Sequence, residues 1–221
     1  MHTFKTSKAR ENILSRIRKH LEGHSMPMPY PNADKEQLNV IFEYNNNSDE
    51  ESFAEAFIDA GGKFVFCDNE QELLEHIYTL YENRGWTELA CAEESLLQLF
   101  HNNHIKGVKS PDECSEAADA CITGCEGMIA RTGSILLSSR QNKGRSASIF
   151  YPVHLVVAYA NQVSKDIAQG LELLKNNYKG QLPSMVNINT GPSRTADIEK
   201  TLVTGVHGPG EVFCFFVNAD K

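Results

Sequence analysis

The sequence predicts an α/β protein of three layers, in which a mostly parallel sheet carries helices on both faces. Two observations predict this class. From about residue 50 onward, short apolar runs of strand length alternate with longer amphipathic runs of helical period. Two of the short runs, HLVVAYA (154–160) and EVFCFFVN (211–218), are apolar almost throughout instead of at every second position, the pattern of strands buried on both faces. A chain of 221 residues is long enough for one large domain of this kind with an appendage.

The first element is an amphipathic helix. SKARENILSRIRKHLEG places Ile13, Leu14, Ile17 and Leu21 on one stripe, with Ser7 as a cap and Gly23 as a stop. Glu11 and Glu22 dilute its arginines and lysine, and its apolar face is narrow, so it reads as a packed or partner-binding arm over residues 1–24 rather than a membrane-surface helix. Pro27, Pro29 and Pro31 cannot continue a helix, which makes 25–38 a linker and 39–221 the main domain.

Within that domain a helix is expected around Phe53 to Ala60, then Gly61-Gly62 and a strand around Phe64 to Cys67. QELLEHIYTLYENRG reads as a helix, TELACAE as a short strand and SLLQLFHNNHI as a helix. ADACITG and GSILLSS are strands flanking EGMIART. After HLVVAYA come a helix in DIAQGLELLKNNY, a strand in MVNINT, a helix in TADIEKTLVTG and the last strand in EVFCFFVN.

Composition narrows the function. A net charge of −8 opposes a general nucleic-acid binder, whose phosphate-neutralising surface is basic. No apolar run approaches bilayer length and the N-terminus lacks a signal-peptide core, so a cytoplasmic protein is expected. Cys67, Cys91 and Cys214 read as buried thiols. Cys114, Cys121 and Cys125 match neither zinc-ribbon nor ferredoxin spacing, so no metal or cofactor is expected on this chain. There is no G-x-S-x-G and no H-E-x-x-H.

Three crowded stretches carry candidate chemistry. In TGPSRTADIE, Gly191 and Pro192 turn the chain after a strand, at the carboxyl edge of the sheet if that strand is one of the parallel set, where open α/β sheets hold ligands. Thr190, Ser193, Arg194 and Thr195 would then meet a helix start, whose free amides favour a phosphate or carboxylate. The same residues also suit plain capping, with Asp197 pairing Arg194. In GVHGPGE, glycines surround His207, an acid, base or ligand candidate that equally suits hydrogen bonding within its own loop. In CEGMIARTGSILLSS, Thr132, Gly133 and Ser134 form a turn into a strand near Glu126.

These stretches resemble one family. TGPSRTADIEKTLVTGVHGPGEVFCFFV, preceded in order by RENILSRIRKHL, IARTGSILLSS and the SIFYPVH segment, is similar to the LUD-domain family and within it the lactate-utilisation protein C subfamily. The resemblance implies the fold type of ribose-5-phosphate isomerase, coenzyme A transferases and formyltetrahydrofolate cycloligase. It also implies a part in oxidising L-lactate to pyruvate beside iron-sulfur partner proteins, which hold the clusters. It raises Thr132, Gly133, Ser134, Thr190, Gly191, Ser193, Arg194 and Thr195 to ligand candidates, and Asp197 and His207 to catalytic ones. Arg131 stands where members commonly carry Glu, and Gly210 where they carry Arg.

Two other classes of function fit the residues. One is a stand-alone isomerase, transferase or cycloligase acting on a phosphorylated or carboxylated substrate. The other is a non-catalytic interaction module. Neither enzyme status nor oligomeric state follows from the sequence, and a homo-oligomer fits as readily as a monomer.

Overall fold

In the computed structural model, residues 8–22, 47–115, 118–140, 147–195 and 203–219 are described. The chain divides into two units, residues 1–45 and 46–221. In the first, helix α1 (Lys8–Leu21) forms over the amphipathic stripe, with Arg18, Lys19 and His20 in its last turn, where cations complement the helix dipole. The expected linker at 25–38 lies outside the described residues.

The second unit opens with α2 (Asp49–Asp59). Ser48 and Glu51 close a capping box at its start, and Phe53 and Phe57, one turn apart, stack at 5.5 Å and are fully buried. Then come β1 (Lys63–Cys67), α3 (Glu70–Arg84), β2 (Leu89–Cys91), α4 (Glu94–Asn102), β3 (Val108–Lys109) and β4 (Ala120–Thr123). Asn69 caps α3 at its start, and Gly85 ends it in the left-handed region. The chain continues through β5 (Gly127–Ile129), a 3-10 turn (Ala130–Thr132), β6 (Ser134–Ser138), α5 (Ala147–Phe150) and β7 (Val153–Tyr159). A second 3-10 turn (Ala160–Gln162), β8 (Val163–Ser164), α6 (Ile167–Asn177), β9 (Val186–Asn189), β10 (Arg194–Thr195), β11 (Val203–Thr204) and β12 (Glu211–Val217) complete it.

Six strands form one wholly parallel sheet in the order β1-β12-β7-β4-β2-β3. Its two faces are legible along β7. Val153, Leu155, Val157 and Tyr159 face a core shared with α3 and α4, while Val156 and Ala158 face α2 and a second sheet. That second sheet, β8-β5-β6-β9, is mixed: β5 runs parallel to β8, and β6 runs antiparallel to both β5 and β9.

The three layers are therefore α3 with α4, the six-stranded sheet, and α2 with the four-stranded sheet. Gly170 of α6 lies against Leu136 and Ile129, which backs the third layer from outside.

At the two ends of the helix expected over TADIEKTLVTG, Arg194 and Thr195 pair antiparallel with Thr204 and Val203. Residues 196–202 lie outside the described residues.

Candidate functional site

The strand β9 decides where the predicted site residues go. It belongs to the second sheet and runs opposite to β6, so Thr190 arrives beside Ser134, and Gly191 comes against the end of α2. Ser193 N–H donates to Pro209 O at 2.9 Å, Gly205 N–H to Ser193 O at 3.0 Å, and Gly210 N–H to Pro152 O at 2.9 Å. Pro152 and Gly210 immediately precede β7 and β12. The loops 191–194 and 205–210 therefore lie at the amino edge of the parallel sheet. The sequence had pointed to the carboxyl edge, on the premise that β9 was one of the parallel strands.

At this edge the structure brings together most of the predicted residues. Thr132 Oγ1, Ser134 Oγ and Thr190 Oγ1 form a hydroxyl chain with both steps at 2.7 Å. Gly133 adopts φ 57°, and a Cβ there would overlap the backbone of Ala56 and Phe57, so glycine is what lets this turn lie against α2. Gly191 has φ 75°, and a Cβ on it would stand 2.6 Å from Ala60 O.

Arg194 has a partner within the fold. Its Nη2 donates to Ala60 O at 2.5 Å, beyond the last turn of α2, a helix with no basic residue of its own there. A cation at a helix C-terminus satisfies free carbonyls and complements the negative end of the dipole. Arg194 and Thr195 form the short strand β10, and the residues after them, where the anion cradle's helix was expected, lie outside the described residues. Asp197, expected to orient Arg194, lies outside the described residues.

His207 is exposed and lines a cavity of about 610 Å³ whose walls include Ile149, Phe150, Tyr151, Pro152 and Val206. Phe150 meets Tyr151 edge to face at 5.5 Å. This cavity opens beside the starts of β7 and β12, and it has apolar walls with an imidazole and a phenol available to orient a ligand.

A second cavity, of about 390 Å³, lies at the carboxyl edge. It includes Glu70, Glu93, Tyr159, Gly124, Gln98 and Asn102. Tyr159 O–H donates to Glu70 Oε1 at 2.9 Å, and Gly124 N–H to Glu93 Oε1 at 2.5 Å. Burial and the neighbouring Glu70 carboxylate both push the Tyr159 phenol upward, so it stays a donor at neutral pH. Sequence reasoning did not single out Glu70, Glu93 or Tyr159. The Tyr159–Glu70 contact spans 89 residues, and Tyr159 simply ends a strand while Glu70 begins a helix.

Between the edges sits His154, fully buried on β7, with Nε2 at 2.8 Å from Thr123 Oγ1. Its Nδ1 has no partner among the described residues. Burial alone lowers its pKa to about 4, so the ring is neutral at physiological pH.

A parallel six-stranded sheet, a mixed second sheet and a cavity at each edge of the first define a three-layer α/β protein suited to holding small molecules. The chain belongs to the LUD domain family, whose pattern matches residues 50–217. It is 36% identical over 110 residues to "Lactate utilization protein C" of Shouchella clausii, covering 49% of this chain and 48% of that protein. It is 34% identical over 97 residues to the protein of the same name from Bacillus subtilis, covering 43% and 40%. The chain thus matches less than half the length of either relative. The fold is shared with the crystal structure of a DUF162 family protein from Deinococcus radiodurans, with a TM-score of 0.56 at 22% identity over 77% of this chain and 99% of that one. Among the described residues no helix is long and apolar enough to cross a membrane.

Proposed function

We propose that this chain is a cytoplasmic component of a lactate-utilisation system, taking part in the oxidation of L-lactate to pyruvate beside iron-sulfur partner proteins. The observation that carries the reading is the alignment of a LUD domain with proteins named Lactate utilization protein C from several bacterial genera. Lactate oxidation releases two electrons, and in this reading the partners' clusters receive them.

The placement of the cysteines supports assigning the clusters to the partners: among the described residues no three His, Cys, Asp or Glu come together as a metal site needs. Cys114 packs with Cys121 beside Tyr151, whereas Cys125 lies in the core between the two sheets.

The test is reconstitution of the lactate-oxidising complex with and without this chain. Omission is expected to abolish or strongly reduce turnover, and unchanged turnover overturns the reading. Within it, the small carboxylate is assigned to the amino-edge cavity beside His207, since the Arg194 guanidinium is engaged by α2.

A further inference from the structure

The carboxyl-edge cavity has a position and a wall chemistry that differ from those of the amino-edge loops. Helix α3 leaves the end of β1 and crosses to β2, while α4 leaves the end of β2 and runs outward to β3. Their starting points therefore diverge and leave a crevice above the ends of β7 and β4, where open parallel sheets hold ligands. Its volume, about 390 Å³, lies in the range of small-molecule sites.

One wall is a single stripe of α4: Ser95, Gln98, Leu99 and Asn102 recur at the i, i+3, i+4, i+7 spacing of one helical face. Opposite stand Glu70 and the phenol bonded to it. Glu93 occupies the N-cap position of α4 yet makes no side-chain cap. Its buried carboxylate turns instead to the Gly124 amide in the cavity lining.

We propose that this cavity binds a neutral, hydroxyl-rich small molecule of pentose size. Carboxylates in the wall, with no lysine, arginine or histidine lining the cavity among the described residues, disfavour an anion such as lactate or phosphate. No group of three or more His, Cys, Asp or Glu able to hold a metal ion occurs among the described residues. Gln98 and Asn102 each offer amide N–H donors as well as a carbonyl oxygen, and an ammonium, which only donates, engages none of those N–H groups. A hydroxyl both donates to the carboxylates and accepts from the amides. The proposal goes beyond the lactate reading and stands separately from it: the reconstitution assay tests that reading, and ligand mapping tests this one.

The experiment is amide chemical-shift mapping on the full chain with D-ribose, ethanolamine, L-lactate and inorganic phosphate as separate probes. D-Ribose is expected to give saturable shifts at Gly124, Tyr159 and residues 95–102, with the other three giving none there. Glu70→Gln and Asn102→Ala should each weaken D-ribose binding by about tenfold, the loss expected for one hydrogen bond to a charged or well-placed group. Asn102 is exposed, so its variant keeps the wild-type melting temperature and reads binding alone. Absence of D-ribose shifts at concentrations on the order of tens of millimolar overturns the proposal. So do larger shifts from ethanolamine or L-lactate at these residues, or wild-type affinity in both variants.

Discussion

Arg194 and His207 are the two positive or potentially positive side chains of the amino-edge loops, and their surroundings separate their roles. Arg194 donates to the Ala60 carbonyl, while His207 lines the cavity. Arg194→Ala should therefore cost stability, about 1 kcal/mol after discounting a charged hydrogen bond for exposure, and leave ligand binding unchanged. His207→Ala should do the reverse, weakening L-lactate binding by about tenfold at constant melting temperature. Calorimetry and urea denaturation on both variants check the pair; a loss of affinity in Arg194→Ala at unchanged stability would restore the anion cradle. At this scale the sequence was partly legible. Thr132, Ser134 and Thr190 were singled out from two separate stretches and do meet in space. Glu70 and Tyr159 carried no such signal, because a carboxylate at a helix start is what any N-terminus prefers.

Helix α2 shows how one element positions the amino-edge cluster. Its start is held by the Ser48 and Glu51 capping box, its end by Arg194, and its flank by the Gly133 turn. Ser48→Ala should cost about 1 kcal/mol, the usual value of a cap. Gly133→Ala should cost more, on the order of 2–4 kcal/mol, since it adds left-handed strain to a clash with the backbone of α2. Urea midpoints of the two variants check the order, and a Gly133→Ala midpoint at or above that of Ser48→Ala would show that the turn can move off the helix. Strands β7 and β12 were legible because both faces are buried and every position reads apolar. Strands β3, β8, β10 and β11 were not, since two residues hold no periodicity. TADIEKTLVTG has helical spacing, which does not report that Arg194 and Thr195 pair with Thr204 and Val203 at its two ends.

For the whole molecule, the class and the parallel sheet followed from alternation alone, whereas membership of β9 in a second sheet did not, because its pairing with β6, Leu136 opposite Ile188, joins distant parts of the chain. The layered core also sets how the molecule responds to acid. His154 is buried neutral between layers, with a folded pKa of about 4 against an ordinary 6.5. As pH falls below 6.5 the unfolded chain takes up this proton and the folded chain does not, so its share of stability is full above 6.5 and is lost down to about 4. The slope approaches ~1.4 kcal/mol per pH unit. Glu211, at the start of β12, is held down to about 2 against 4.5. Hydrogen bonds from Arg84 at 3.0 and 2.8 Å are the larger cause, and Lys63 adds to them. Its contribution is full above 4.5 and lost as pH falls to about 2. Melting temperature should therefore fall in two adjoining windows on acidification. His154→Gln should flatten the upper window relative to wild type and Glu211→Gln the lower, whatever each variant does to stability at neutral pH. A wild-type curve that His154→Gln merely displaces, with the same slope between pH 6.5 and 4, would mean that the ring finds a partner for its proton inside the folded core.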